Sequence, residues 1–232
     1  MRKLIAIITL AISGNAAAVC PNPEPRICSQ YFDEEAVFVG VCVSATEVRE
    51  SGDGELIAGW KYLLKVERRF RGKKAKYVKA YSGNDSDRFP LEVGHKYLLF
   101  ASRNQPPKDE LYLGFCGNNR DVTGNQDGYP DVEAVIAANK AGKPGNIRGS
   151  VGAPGVTVFI DGPRDKYRTV TDSDGWFSID VKAGTYKVVP QALPGTRIRL
   201  VETTYDMPSA VKVESGGGGE VAFSVEKAEW KQ

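Results

Sequence analysis

The 232-residue sequence is poor in the side chains that most catalytic and metal sites require. It contains one histidine, His95, together with four cysteines and two methionines. A single histidine supplies neither a Ser-His-Asp triad, for which no Gly-x-Ser-x-Gly motif is present, nor a histidine-rich metal centre. The cysteines also lack the Cys-x-x-Cys spacing of zinc sites. We therefore expect no catalytic residue, no metal and no cofactor, and predict that the protein is not an enzyme.

Long apolar runs are missing beyond residue 12. The one run, residues 4–12, would span about 14 Å as a helix, roughly half of the ~30 Å bilayer core, which argues against a membrane span. It follows Arg2-Lys3 and precedes three alanines at 16–18, an order typical of a secretory signal peptide. We therefore predict that residues 1–18 are a signal peptide and that the protein is secreted or periplasmic. Lipid anchoring through Cys20 is the alternative.

The chain also lacks a strong excess of charge. Without Arg2 and Lys3, the 31 basic residues become 29, equal to the 29 acidic ones. A neutral chain has no overall field to attract nucleic acid or a membrane surface, so we expect neither as a partner. The length suits two domains of roughly 100 residues each.

Cysteine is absent from the second half of the sequence, which indicates a domain boundary. Residues 142–146 contain the Gly and Pro of a predicted linker. We expect a first domain over 19–141, a second over 147–226 and a tail over 227–232. In an exported chain the four cysteines predict two disulfides, with three pairings open. They are Cys20, Cys28, Cys42 and Cys116.

The first domain has the pattern of a small β-barrel. An apolar, β-branched run at 36–43 and alternating segments at 61–68 and 77–81 predict strands, and 96–101 with 111–115 predict a hairpin. Helix formers after Pro130 predict a helix over 130–140, and a shorter helix is expected around 29–36. These elements suit an OB-fold-like barrel with short flanking helices.

The second domain consists of short strands at intervals of about ten residues, which predicts a β-sandwich. The expected strands are 155–162, 168–171, 176–181, 185–190, 211–213 and 221–225. The sequence Asp172-Ser173-Asp174-Gly175 is interpreted as a turn rather than a cation site. Trp176 is interpreted as a core or rim aromatic, with a carbohydrate platform on this domain as the alternative.

Particular motifs resemble two known families. Residues 28–42, 93–101 and 114–117 resemble the netrin-like module, the barrel shared by tissue inhibitors of metalloproteinases. Residues 147–151, 155–158, 171–177 and 183–186 resemble the carboxypeptidase regulatory-like (transthyretin-like) domain, a likeness that implies a spacer or binding role and no peptidase activity. The expected fold class is thus mainly β, an OB-fold-like barrel followed by an immunoglobulin- or transthyretin-like β-sandwich.

The netrin-like resemblance implies a binding mode. It pairs Cys20 with Cys116, which leaves Cys28 for Cys42. In the metalloproteinase inhibitors a first-residue cysteine chelates the protease zinc through its amine and carbonyl oxygen. Here Val19 precedes the cysteine, and the second cysteine of the inhibitors' Cys-x-Cys start is missing. The expected partner is a protein, a metallopeptidase by the resemblance, and the expected contact residues are Val19, Cys20, Pro21 and Asn22.

A basic hairpin over residues 61–79 offers a second binding hypothesis. Clustered cations bind sulfated or phosphorylated polymers by counterion release, so a polyanionic glycan is the alternative partner. The plain interpretation is a solvated edge whose charges prevent sheet-to-sheet pairing. The candidate residues are Arg68, Arg69, Arg71, Lys73, Lys74 and Lys76.

Overall fold

The computed structural model describes residues 20, 25–50, 56–103, 110–125, 128–201 and 210–227. Within them the protein is mainly β, with one six-stranded sheet, two four-stranded sheets and two helices. Neither described helix is long and apolar enough to cross a bilayer. The predicted fold class is confirmed in this respect.

The six-stranded sheet and both helices belong to the first half. The strand order is β5-β3-β2-β1-β4-β6, and all neighbours are antiparallel except β3 and β5. The elements are α1 (Ile27–Asp33), β1 (Ala36–Arg49), β2 (Ile57–Arg71), β3 (Tyr77–Gly83), β4 (Lys96–Ala101), β5 (Leu111–Tyr112), β6 (Arg120–Asp121) and α2 (Pro130–Lys140).

Strand β1 separates two apolar cores because successive side chains point to opposite faces of a strand. Phe38 and Cys42 enter one core, with side chains of β2, β3 and β4. Val37 and Val39 enter the other, against Tyr31 of α1 and side chains of α2. The helices therefore cover the sheet face opposite the first core. Helix α2 has its predicted bounds, and α1 begins and ends slightly earlier than expected.

In the described residues the predicted barrel is not closed, and the predicted hairpin of β4 with β5 forms at one residue pair only. Strand β5 pairs in parallel with β3, while β4 pairs with β1 and β6. One antiparallel bridge joins the end of β4 to β5: the Ser102 N–H donates to the Tyr112 carbonyl at 3.1 Å and the Tyr112 N–H to the Ser102 carbonyl at 2.8 Å. Because β5 has only two residues, it offers too little backbone for a full ladder along β4.

The second half is a β-sandwich, as predicted. Its sheets have the orders β10-β7-β14-β12 and β13-β11-β8-β9, and only β7 and β14 pair in parallel. Side chains such as Ile147, Ile160 and Tyr186 fill one core between the sheets. Strand β7 begins inside the predicted linker, and β12 was not predicted. The strands are β7 (Gly145–Ser150), β8 (Thr157–Asp161), β9 (Lys166–Val170), β10 (Trp176–Val181), β11 (Gly184–Pro190), β12 (Thr196–Leu200), β13 (Ala210–Val213) and β14 (Gly218–Lys227).

Arg26, at the start of α1, joins the two halves. Its Nε donates to Glu220 Oε1 at 2.6 Å, and its other nitrogens donate to the side-chain and main-chain oxygens of Asn146 at 2.8 and 3.2 Å. Glu220 lies on β14 and Asn146 on β7, so one guanidinium contacts two strands of the sandwich. The close approach of α1 to β14 requires glycine at position 218, because an added Cβ there would lie 2.8 Å from the sulfur of Cys28. The halves thus meet through a polar contact next to a position without a side chain.

Candidate functional site

The Cys20–Cys116 disulfide is present and joins residues 96 positions apart. This confirms the pairing that the netrin-like resemblance implied. It fixes the chain near its predicted new start to the region that follows β5. How firmly the disulfide holds Cys20 depends on how firmly the loop that carries Cys116 is itself held.

Asp87 holds the loop over residues 114–119, which carries Cys116. Its Oδ1 accepts from the Cys116 N–H at 2.9 Å, and its main-chain oxygen accepts from Phe115 N–H at 2.7 Å. Its Oδ2 accepts from the Tyr112 hydroxyl at 3.3 Å. Burial, followed by the charge of Asp87, raises the pKa of Tyr112, so the hydroxyl remains a donor. One carboxylate therefore fixes both the disulfide's backbone and the adjacent strand.

Asn118, two residues after Cys116, holds a second point of the N-terminal segment. Its Nδ2 donates to the Pro25 carbonyl at 3.1 Å and to Gln30 Oε1 at 2.7 Å. Gln30 in turn donates to the buried carboxylate of Glu34 at 3.0 Å, and burial raises the pKa of Glu34 to about 6. The segment that leaves Cys20 therefore returns at Pro25 to the same 114–119 loop.

The predicted contact residues are placed only in part. Cys20 is described and half-buried, whereas Val19, Pro21 and Asn22 lie outside the described residues. Beside the disulfide, the Phe115 side chain is 51% exposed, although large aromatic side chains are usually covered. Sequence reasoning missed Phe115 as a contact, and its position directly before Cys116 was the available signal.

The predicted Cys28–Cys42 disulfide is wrong, since both thiols are free. Cys42 points into the core on one face of β1, whereas Cys28 lies on α1 and packs on the opposite side of the sheet. The strand itself therefore separates the two sulfurs. Burial raises the pKa of both thiols, which keeps them protonated and weakly nucleophilic.

Two residues of the basic hairpin have structural roles. Arg71 donates to the main-chain oxygens of Glu34 and Phe32, both at 2.9 Å, and so satisfies the end of α1. Arg68 pairs with Glu133 of α2 at 2.7 Å and lies over the Phe70 ring. Both guanidinium groups connect the helices to β2; Arg71 is held by two carbonyls, whereas the Arg68–Glu133 pair is exposed to solvent.

The other four candidate cations of the hairpin remain available. Within the described ranges they are exposed and have no acidic partner; they are Arg69, Lys73, Lys74 and Lys76. Glu67, the acid within the hairpin, pairs at 2.7 Å with Lys96 of β4 and does not neutralise them. The structure thus divides the predicted cluster into two structural arginines and an exposed group of four.

His95 lies directly before β4, and 41% of its side chain is exposed. Its Nδ1 lies 2.8 Å from Asp121 Oδ2, and this hydrogen bond raises its pKa. Among the residues that the structure describes, no three His, Cys, Asp or Glu side chains are grouped so as to hold a metal ion. These observations assign His95 a local contact with β6.

Comparisons with known proteins add no family assignment. No protein-family model matches the chain, and no curated protein matches it either. The resemblances to netrin-like and carboxypeptidase regulatory-like domains therefore stay predictions. A functional proposal has to rest on the geometry of the disulfide-linked loop and of the basic hairpin.

Proposed function

We propose that this chain is an exported, non-catalytic binding protein, and that the segment from Val19 to Pro25 contacts a protein partner of the metallopeptidase class. The observation that supports this most is the double attachment of the segment to the 114–119 loop, by the Cys20–Cys116 disulfide and by the Asn118 contact with Pro25. A short segment tied at both ends loses little conformational entropy when it binds.

The composition of this segment favours the same role. Positions 21 and 23 are prolines, and each fixes φ near −65° and removes a backbone donor. The exposed Phe115 ring beside Cys116 adds an aromatic group, the type of side chain that often dominates binding energy at interfaces. The prolines restrict the backbone conformations open to the segment, and Phe115 offers an apolar contact next to its disulfide.

Inhibition assays with two forms of the protein test the proposal. One form begins at Val19 and the other at Cys20, and both are assayed against a panel of zinc metallopeptidases. Zinc chelation by the amine of Cys20 predicts inhibition by the second form only, and its loss on N-acetylation. Inhibition by both forms supports a contact that does not use the amine. Absence of inhibition and of binding across the panel, for both forms, would refute the metallopeptidase proposal.

A second candidate function is binding of a polyanionic glycan through the basic hairpin. The supporting observation is the exposed group Arg69, Lys73, Lys74 and Lys76, which has no acidic partner among the described residues. Replacing all four by Ala should abolish retention on a heparin column at low salt, because each lost cation removes counterion release. The matched control removes four exposed cations elsewhere: Lys140, Lys143, Arg164 and Lys227. Equal elution of both variants would contradict the candidate.

A further inference from the structure

A groove on the sandwich is lined by residues that belong to neither of the sites described above. It occupies about 440 Å³ beside the neighbouring edge strands β9 and β10, one from each sheet. This volume lies within the range of about 300–1,000 Å³ found for small-molecule sites. Its lining includes Arg148, Thr169, Val170, Asp172, Trp176 and Ser178.

Arg148 is the only cation that lines the groove, and it lacks an anionic partner. Its neighbour across the β7–β14 ladder is Glu220, but that carboxylate is already bound by Arg26 at 2.6 Å. Within the described part of the chain, Arg148 forms no ion pair, and its guanidinium lies 4.6 Å from the centre of the Trp176 ring. A stacked guanidinium is pre-organised and still presents N–H donors to a carboxylate. The groove thus contains an oriented site for one anion.

The groove also has an apolar surface. Trp176 is half-buried, and the Val170 side chain is 52% exposed at the end of edge strand β9. An exposed aliphatic side chain and an indole provide an apolar surface for the C–H groups of a sugar ring, because contact between apolar surfaces removes both from water. An anion alone would not need this surface.

Hydroxyl and carboxylate groups complete the lining. Asp172 Oδ1 accepts from the main-chain N–H groups of Asp174 and Trp176 at 3.0 and 2.8 Å, which fixes the carboxylate in place. Its other oxygen can accept from ligand hydroxyls, and Thr169 adds a hydroxyl, whereas the Ser178 hydroxyl is already hydrogen-bonded to the side chain of Asn146 at 3.0 and 3.2 Å. The lining has a single cation, Arg148, which matches one carboxylate per ligand residue and not the several charges of a densely sulfated chain.

We propose that this groove binds a uronic-acid residue of an acidic glycan. Arg148 binds the sugar carboxylate, Trp176 and Val170 contact the ring, and Asp172 accepts from ring hydroxyls. A peptide carboxylate would use Arg148 equally well but would leave the acceptor Asp172 without hydroxyl donors. None of its lining residues belongs to the basic hairpin or to the N-terminal segment.

Isothermal titration with a galacturonic acid hexamer tests the proposal. The matched probe is the same hexamer with its carboxylates methyl-esterified, which keeps the ring and hydroxyls and removes the charge. The native chain should bind the acid at least about tenfold more tightly than the ester, since hydrogen bonds to charged groups contribute that much or more. Arg148→Gln should lose this preference, and Trp176→Ala should weaken both probes.

Two controls show whether an effect arises at this groove and whether the variants are folded. Arg164→Gln removes an exposed arginine of the same domain and should leave the titration unchanged. Trp176 is half-buried, so its variant is used only if its circular dichroism matches the native chain, whereas Arg148→Gln leaves the sandwich core untouched. No binding by the native chain at millimolar hexamer, or equal affinity of native chain and Arg148→Gln, would overturn the proposal. Binding of an acidic peptide in place of both sugars would overturn it as well.

Discussion

The contact of Arg26 with the sandwich predicts a large loss of stability on truncation. Arg26→Ala removes three hydrogen bonds and leaves the carboxylate of Glu220, whose side chain is only 9% exposed, without its cation. Breaking a buried ion pair costs about 3–5 kcal/mol, but the Arg26 side chain is 26% exposed, so solvent screens part of this. We expect a loss of about 2–4 kcal/mol in the free energy of unfolding.

A double-mutant cycle separates the pair from the individual residues. Glu220→Gln keeps the shape of the side chain and removes its buried charge, so the double variant with Arg26→Ala should recover about 1–3 kcal/mol relative to simple addition. Urea unfolding is followed by tryptophan fluorescence and by circular dichroism, because two halves that separate would give two transitions. The control is Arg164→Ala, an exposed arginine whose change should stay within about 0.5 kcal/mol. Equal stability of Arg26→Ala and this control would refute the reasoning.

Three further predictions follow from the first half of the chain. Cys116→Ser opens a link between residues 96 positions apart, and should lower the free energy of unfolding by about 4–5 kcal/mol in non-reducing urea titrations; unchanged stability would contradict this. The pKa of His95 should lie above its ordinary value of 6.5 in proton NMR titrations, because Asp121 binds the ring, and Asp121→Asn should return it; the associated stability is present below pH 6.5 and is lost as the pH rises through the raised pKa. Burial raises the pKa of Glu34 from 4.5 to about 6, so the stability it contributes is full below pH 4.5 and falls as the pH rises through 6. Glu34→Gln should therefore stabilise the protein at pH 7 by about 1–2 kcal/mol and have no effect at pH 4, as measured by urea unfolding at both values; equal effects would contradict a buried carboxylate.

Local patterns were enough to predict the type of most elements. The β-branched run at the start of β1 and the acidic, Pro-led start of α2 gave correct elements because the pattern and the packing agree there. Whether the first sheet closes into a barrel could not be predicted, since closure depends on how many residues of β5 pair with β4. The number of such pairs is set by the path of the chain and not by the β-strand propensity of its residues.

The site was harder to predict than the fold. The cysteine spacing does not show that the side chains of Cys28 and Cys42 lie on opposite faces of the first sheet, so the pairing that was left for them did not form. The hairpin's charge run does not show that Arg71 satisfies helix carbonyls. Asn118 and Gln30 are ordinary polar residues in the sequence, and only their meeting at the Pro25 carbonyl reveals their role.

The two attachments of the N-terminal segment differ in chemistry, and this gives them different sensitivities. A reductant cleaves the sulfur bridge at Cys20 but leaves the Asn118 amide on Pro25. Reduction would therefore leave Pro25 and α1, just beyond it, attached to the 114–119 loop through Asn118. If the proposed partner contact depends on this disulfide, binding should be lost under reducing conditions and restored by air oxidation.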